Sequence, residues 1–199
     1  MKTKLSIVSI LFFIPILFLN AQTESNIDVV YNLIERSVIK ADSLLGGKQT
    51  INLSVTTAPP LEILKPKVLQ LFSNRGYLLK TSGNESVIPV NYAIASATVE
   101  YNNSFSDGFF SGIGLERKIT LKGSFTIVKS DQIIKPVEFT ESVTDTIKLD
   151  EISTLENRSI PFTQGEIPPQ PLLSTFWEPI IVVGTLIVTV ILLFTVRSK

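Results

Sequence analysis

Glu141 and Asp145, with Glu100 and Glu116 nearer the middle of the chain, are the residues with most claim to chemistry. Two carboxylates facing one another across about 5–10 Å of a sugar-sized cleft are what glycoside hydrolysis requires, one as acid and one as nucleophile or base. The residue types needed for most other reactions are absent, because 199 residues include no Cys and no His. That excludes thiol nucleophiles, His-dependent triads, disulfides and zinc sites of the usual kinds. Acids on a short strand beside Lys118 and Lys122 are also what solvated cross-strand partners look like. The reading adopted from sequence is therefore non-enzymatic, with no catalytic residue, no metal and no cofactor.

A second candidate is the run Ser104 to Leu115, in which Phe105, Phe109 and Phe110 sit among Gly and Ser. Three Phe are more than a solvated connection needs, so these three are the candidate partner-binding residues. The competing reading folds them back over the open end of a sheet. Gly112-Ile113-Gly114 imitates part of a dinucleotide loop but lacks the third Gly and the strand-to-helix setting, so it is set aside. Asn52, Asn84, Asn102 and Asn157 each begin an Asn-x-Ser sequon, of consequence only in a glycosylating host.

The elements that must position these residues are legible as patterns. Ser25 is an N-cap candidate with Asp28 three residues on, and Ile27, Val30, Tyr31, Ile34, Val38, Ala41 and Leu45 recur at helical spacing up to Gly46-Gly47. Residues 49–57 alternate as a strand. Leu64, Val68, Leu71 and Phe72 form a second helical stripe, with Pro66 placed in its first turn. Strands follow over 90–101, with Ala93, Ala95 and Ala97 expected on one face and Tyr92, Ile94 and Thr98 on the other, then over 117–128 and 133–147. Leu149, Ile152 and Leu155 suggest a short helix. The expected class is α+β, two helices packed on a mostly antiparallel sheet, plus one C-terminal transmembrane helix.

The ends of the chain set expectations about place. Residues 1–21 read as a secretory signal peptide, 22–158 as an extracytoplasmic domain, 159–176 as a Pro-rich stalk, and 177–199 as a membrane helix with a short tail. Thirteen of the seventeen residues from Ile180 to Val196 are Ile, Val, Leu or Phe, and a helix over Pro179–Val196 is about 27 Å long. Phe176 and Trp177 on one side, and Arg197 and Lys199 on the other, suit the membrane interfaces and give a cytoplasmic C-terminus, with an inner membrane favoured. Gly184, Thr185 and Thr189 form a small-residue face that could pack two such helices. Of 18 basic residues, Lys2, Lys4, Arg197 and Lys199 lie outside the middle, while all 18 acids lie within it, leaving −4 there. A domain with that balance is a poor nucleic-acid binder.

The span Leu71-Phe72-Ser73-Asn74-Arg75-Gly76-Tyr77-Leu78-Leu79, followed by Tyr92-Ala93-Ile94-Ala95-Ser96-Ala97-Thr98-Val99 and a hairpin, resembles small α/β modules of bacterial envelope assembly. The curli-secretion lipoprotein and penicillin-binding-protein activator lipoproteins are of this type. The resemblance covers roughly residues 49–147, carries no catalytic residue, and departs from those proteins in lacking a lipobox Cys. It implies a non-enzymatic assembly role. The sequence reading is thus a single-pass, membrane-anchored binding module of the bacterial cell envelope or periplasm, with another envelope or membrane protein and the lipid bilayer as partners and homo-oligomers left open. The alternative is a structural subunit of a membrane complex assembled through its transmembrane helix.

Overall fold

The computed structural model describes residues 23–80, 87–106, 112–129, 132–133, 136–169 and 172–196. The reading of residues 1–21 as a signal peptide therefore lies outside the described residues. Helix α1 spans Asn26–Leu45, with the Ser25 hydroxyl accepting from the Asp28 N–H at its start and Gly46 in the left-handed region at its end (φ 72°). Strand β1 is Thr50–Thr57. A 3-10 turn over Pro59–Leu64 leads into α2, Lys65–Asn74, whose Pro66 falls in the first turn, where its missing N–H costs nothing. Strands β2 (Leu78–Leu79), β3 (Ile88–Ser106), β4 (Ile113–Lys129), β5 (Gln132–Ile133) and β6 (Val137–Lys148) follow. A 3-10 turn, Leu149–Glu151, the short helix α3, Ile152–Leu155, a second turn, Pro161–Thr163, and helix α4, Leu172–Val196, complete the chain.

The architecture is α+β, but its sheet is mixed. The order is β2-β1-β3-β4, with β5 and β6 both paired to β4. β1 runs parallel to β2 and to β3, which adds a parallel part to the mostly antiparallel sheet expected from sequence. The reason is the β1–α2–β2 unit, a strand-helix-strand crossover that returns the chain in the same direction. The remaining pairs, β3 with β4, β4 with β5 and β4 with β6, are antiparallel.

The core lies between the sheet and the pair α1 and α2. Val30, Leu33, Ile34, Val38 and Ala41 of α1 and Val68 and Phe72 of α2 are fully buried against Ile51, Val90, Tyr92, Leu121, Phe125 and Ile127. Phe72, Tyr92, Phe139 and Phe125 carry an aromatic chain from α2 to β6, with ring centroids 5.5–6.3 Å apart. The strict alternation expected along β3 is broken. Ile94 pairs with Gly123 but Ser96 pairs with Lys122, so Ala95 is an extra residue. This bulge reverses the parity, and Ala97, Val99 and Tyr101 join Tyr92 and Ile94 on the buried face while Ala93 and Ala95 turn outward.

The membrane topology expected from sequence is also corrected. Among the described residues no helix is long and apolar enough to cross a membrane. α4 begins at Leu172, so Pro179 lies inside the helix and removes the bond its N–H would have given the carbonyl four residues earlier. The transmembrane helix over 177–199, the single-pass topology, the cytoplasmic C-terminus and the inner-membrane location expected from sequence are therefore not supported.

Candidate functional site

Of the acids singled out for chemistry, Glu141 and Asp145 lie on the helix-facing side of the sheet. β6 alternates so that Phe139, Glu141, Val143, Asp145 and Ile147 point inward, and Glu138, Thr140, Ser142, Thr144, Thr146 and Lys148 outward. Glu141 and Asp145 therefore do share a face, but each is held by its own cation. Glu141 pairs with Lys40 of α1. Asp145 receives Arg117, its directly opposed neighbour on β4, through both carboxylate oxygens, with Arg117 Nε 2.9 Å from Oδ1 and Nη2 on Oδ2.

Arg117 is the centre of a buried polar network. Its side chain is 1% exposed. Besides Asp145, Nη1 donates to the Glu24 carbonyl and to Asn26 Oδ1, each at 2.8 Å. The buried Asn26 amide nitrogen then donates to the Tyr101 hydroxyl at 2.9 Å and to the Thr163 carbonyl at 2.7 Å. Burial, with the Glu156 carboxylate beside it, pushes the Tyr101 phenol up to about 12. The network joins the start of α1, β3, β4, β6 and the segment around Thr163. Phe162 and Thr163, expected within a stalk, are buried in the domain, and Gly165 lies against the Tyr101 ring so closely that a Cβ would meet ring carbons at 2.9 Å.

A further constellation went unread in the sequence. Ser37-x-x-Lys40 has the Ser-x-x-Lys spacing of acyl-transfer enzymes. The structure shows a core serine. Ser37 is fully buried, donates to the Ile34 carbonyl at 2.7 Å and accepts from the Tyr92 hydroxyl, while Lys40 is committed to Glu141. Burial drives the Tyr92 phenol upward for the same reason, with Glu141 adding to it. Asp42 similarly ties α1 to the α2–β2 turn by accepting from Tyr77 and Arg75.

Phe105 closes the far end of the β3–β4 hairpin. It is 41% exposed and lies over Gly114, its cross-strand partner, where a Cβ would meet ring carbons at 2.6–2.7 Å. Asn103 occupies the left-handed region (φ 46°) within the second irregularity of β3, a conformation Asn tolerates better than most residues. Phe109 and Phe110 lie outside the described residues. So do Arg197 and Lys199, while Phe176 and Trp177 fall within α4. Gly184 has open space around it, and the Thr185 and Thr189 hydroxyls bond carbonyls of their own helix. Glu100 and Glu116 sit on the outer face of the sheet, Glu100 opposite Lys118. The structure thus brings Glu141 and Asp145 to one strand face and does not gather them with Glu100 and Glu116.

That outer face is left uncovered by the helices. Across β3, β4 and β6 it carries the rows Ser96–Lys122–Thr140, Thr98–Thr120–Ser142 and Glu100–Lys118–Thr144, in which Thr120 is itself buried and the other hydroxyls surround two exposed ammonium groups on the central strand. Among the described residues no group of His, Cys, Asp or Glu could hold a metal ion.

No protein-family model matches the chain. No curated protein matches it in sequence. Solved structures that match include a neuraminyllactose-binding hemagglutinin homolog from Helicobacter pylori, at 13% identity over 51% of this chain and 67% of that one, with a TM-score of 0.30. Another is the rare lipoprotein B from Shewanella oneidensis, at 10% identity over 76% of this chain and 94% of that one, with a TM-score of 0.29. One is a hemagglutinin homolog and the other a rare lipoprotein. Superposition at that level carries no functional weight.

Proposed function

We propose that the chain is an extracytoplasmic, non-enzymatic binding module of the bacterial cell envelope, which meets a protein partner through the open face of β3, β4 and β6 and the adjoining Phe105 end of the hairpin. The observation that carries this reading is the uncovered sheet face. Antiparallel sheets commonly leave one side to water, but here that side offers Lys118 and Lys122 framed by hydroxyls and Glu100, a surface able to fix a partner's register by polar contacts. The acids that a glycosidase would use support the reading from the other direction. Glu141 and Asp145 point away from that face and are neutralised by Lys40 and Arg117, so they hold the domain together.

The test is site-specific photocrosslinking in the native cell. Crosslinkers placed at Ser96, Thr98 and Phe105, all on β3 and away from the β6 edge, are expected to trap one discrete protein distinct from a second copy of this chain, and a crosslinker at Glu35, on the exposed side of α1, is not. Equal labelling from Glu35 and the sheet positions would overturn the assignment of the face. A carboxylate enzyme is tested separately. Hydrolysis of an envelope glycan by the native chain, abolished by Glu141→Gln with the fold intact, would replace this reading.

A further inference from the structure

β6 is an edge strand of 12 residues, and among the described residues only β4 pairs with it. An edge of this length is a template for another strand unless something blocks it. It carries no Pro after position 136 and no Gly, and the inward charges that would ordinarily guard such an edge, Glu141 and Asp145, are already neutralised within the domain.

The sequence of β6 is also complementary to itself when reversed. In an antiparallel pair, directly opposed residues point to the same face. Centring a two-fold axis on Val143 sets Glu138 against Lys148, Phe139 against Ile147, Thr140 against Thr146, Glu141 against Asp145 and Ser142 against Thr144. Outward positions then meet as an ion pair and hydroxyl pairs, and inward positions as apolar pairs, with the acids meeting only as groups that each carry their own counter-ion. Neighbouring registers are worse. A centre on Ser142 drives Asp145 onto Phe139, and one on Thr144 drives Glu141 onto Ile147 and Asp145 onto Val143. Cross-strand pairs of the favourable kind contribute roughly 0.2–1 kcal/mol each, and a two-fold axis makes every such pair count twice.

We propose that two copies of the chain join antiparallel through the outer edges of β6, centred on Val143, so that their sheets form one continuous sheet. The open polar faces of both copies then lie on the same side, doubling the surface offered to a partner. The interface is isologous and closes on itself, so assembly stops at two.

The chain has no Cys, so single cysteines report the register directly. Under mild oxidation of the full-length protein, Val143→Cys is expected to give a disulfide-linked dimer of twice the 22.0 kDa chain. A mixture of differently tagged Ser142→Cys and Thr144→Cys chains should cross-link to each other faster than either does to itself. Ser54→Cys, on β1, is the control and should form no disulfide-linked dimer. Adding Ser142→Lys and Thr144→Lys to the Val143→Cys chain sets lysines opposite one another at exposed positions and should lower the dimer yield about tenfold, with the circular dichroism spectrum unchanged. A monomer at all concentrations, cross-linking of Val143→Cys no greater than that of Ser54→Cys, or a mixed pair no faster than its components would overturn the proposal. A dimer seen by sizing without these cross-links would overturn it too, by placing association elsewhere on the chain.

Discussion

The Arg117–Asp145 pair makes an asymmetric prediction in which the more exposed partner is the costlier one to remove. Arg117 is 1% exposed and Asp145 36% at the side chain. Removing Asp145 by Asp145→Ala strands a guanidinium that water cannot reach, a situation that costs about 3–5 kcal/mol. The low end applies, since Arg117 keeps the Glu24 carbonyl and Asn26 Oδ1 as acceptors at 2.8 Å. Removing the arginine by Arg117→Met leaves a carboxylate that can turn to solvent at a cost of roughly 0–1 kcal/mol, and the buried cation no longer has to be desolvated. The residual loss is the Asn26 acceptor, left buried without its donor at about 1–3 kcal/mol. Asp145→Ala is therefore expected to cost about 3 kcal/mol and Arg117→Met about 1–2. Adding Arg117→Met to Asp145→Ala should restore about 1 kcal/mol or more, the sign of coupling that direct contact produces. Urea unfolding followed by circular dichroism reads all three, and the single Asp variant should lower Tm by about 6–12 °C for a domain of this size. The reasoning fails if Asp145→Ala is no more destabilising than Arg117→Met, or if the double variant is as unstable as the two losses added.

Three further outcomes follow from other contacts. Gly123→Ala should cost about 1–3 kcal/mol by overpacking, measured in the same urea assay, because a Cβ there would press on the Ala93 carbonyl oxygen and come within 2.5 Å of Phe139 Cζ. Ser25→Ala removes the hydroxyl that accepts the Asp28 N–H at 3.3 Å and should cost about 1 kcal/mol, with Ser25→Asp restoring most of it. Stability should fall as pH rises from 10, the ordinary Tyr value, to about 12. The unfolded chain releases the Tyr101 proton first, so between those values the native state binds more protons and loses ground. Tyr101→Phe should make that fall less steep, with the buried Tyr92 and Tyr77 phenols supplying the slope that remains, as checked by unfolding at stepped pH.

The parts of the fold that a periodic pattern encodes could be read before the structure was known. α1 starts after Ser25 and stops at Gly46 because both ends are set by local chemistry, a hydroxyl that caps a free N–H and a residue with no Cβ to oppose positive φ. Arg117 falls in phase with Ile119 and Leu121, so its inward direction was legible as well. Its partners at the start of α1 were not, since Glu24 and Asn26 are distant along the chain and nothing local in an Asn or a backbone carbonyl announces an arginine. The face of β3 was misread for a related reason. Period-two reasoning assumes an unbroken ladder, and Ala95 breaks it only because Gly123 on the partner strand lets the backbone approach closely. The candidate site turned on the same distinction. Two acids two turns of the pleat apart share a face by periodicity alone, but whether they serve chemistry or structure depends on which cations the packing delivers. Lys40 comes from a helix and Arg117 from the next strand. That is why the acids on the buried side hold the domain together, while Lys118 and Lys122 stay exposed on the face proposed for recognition.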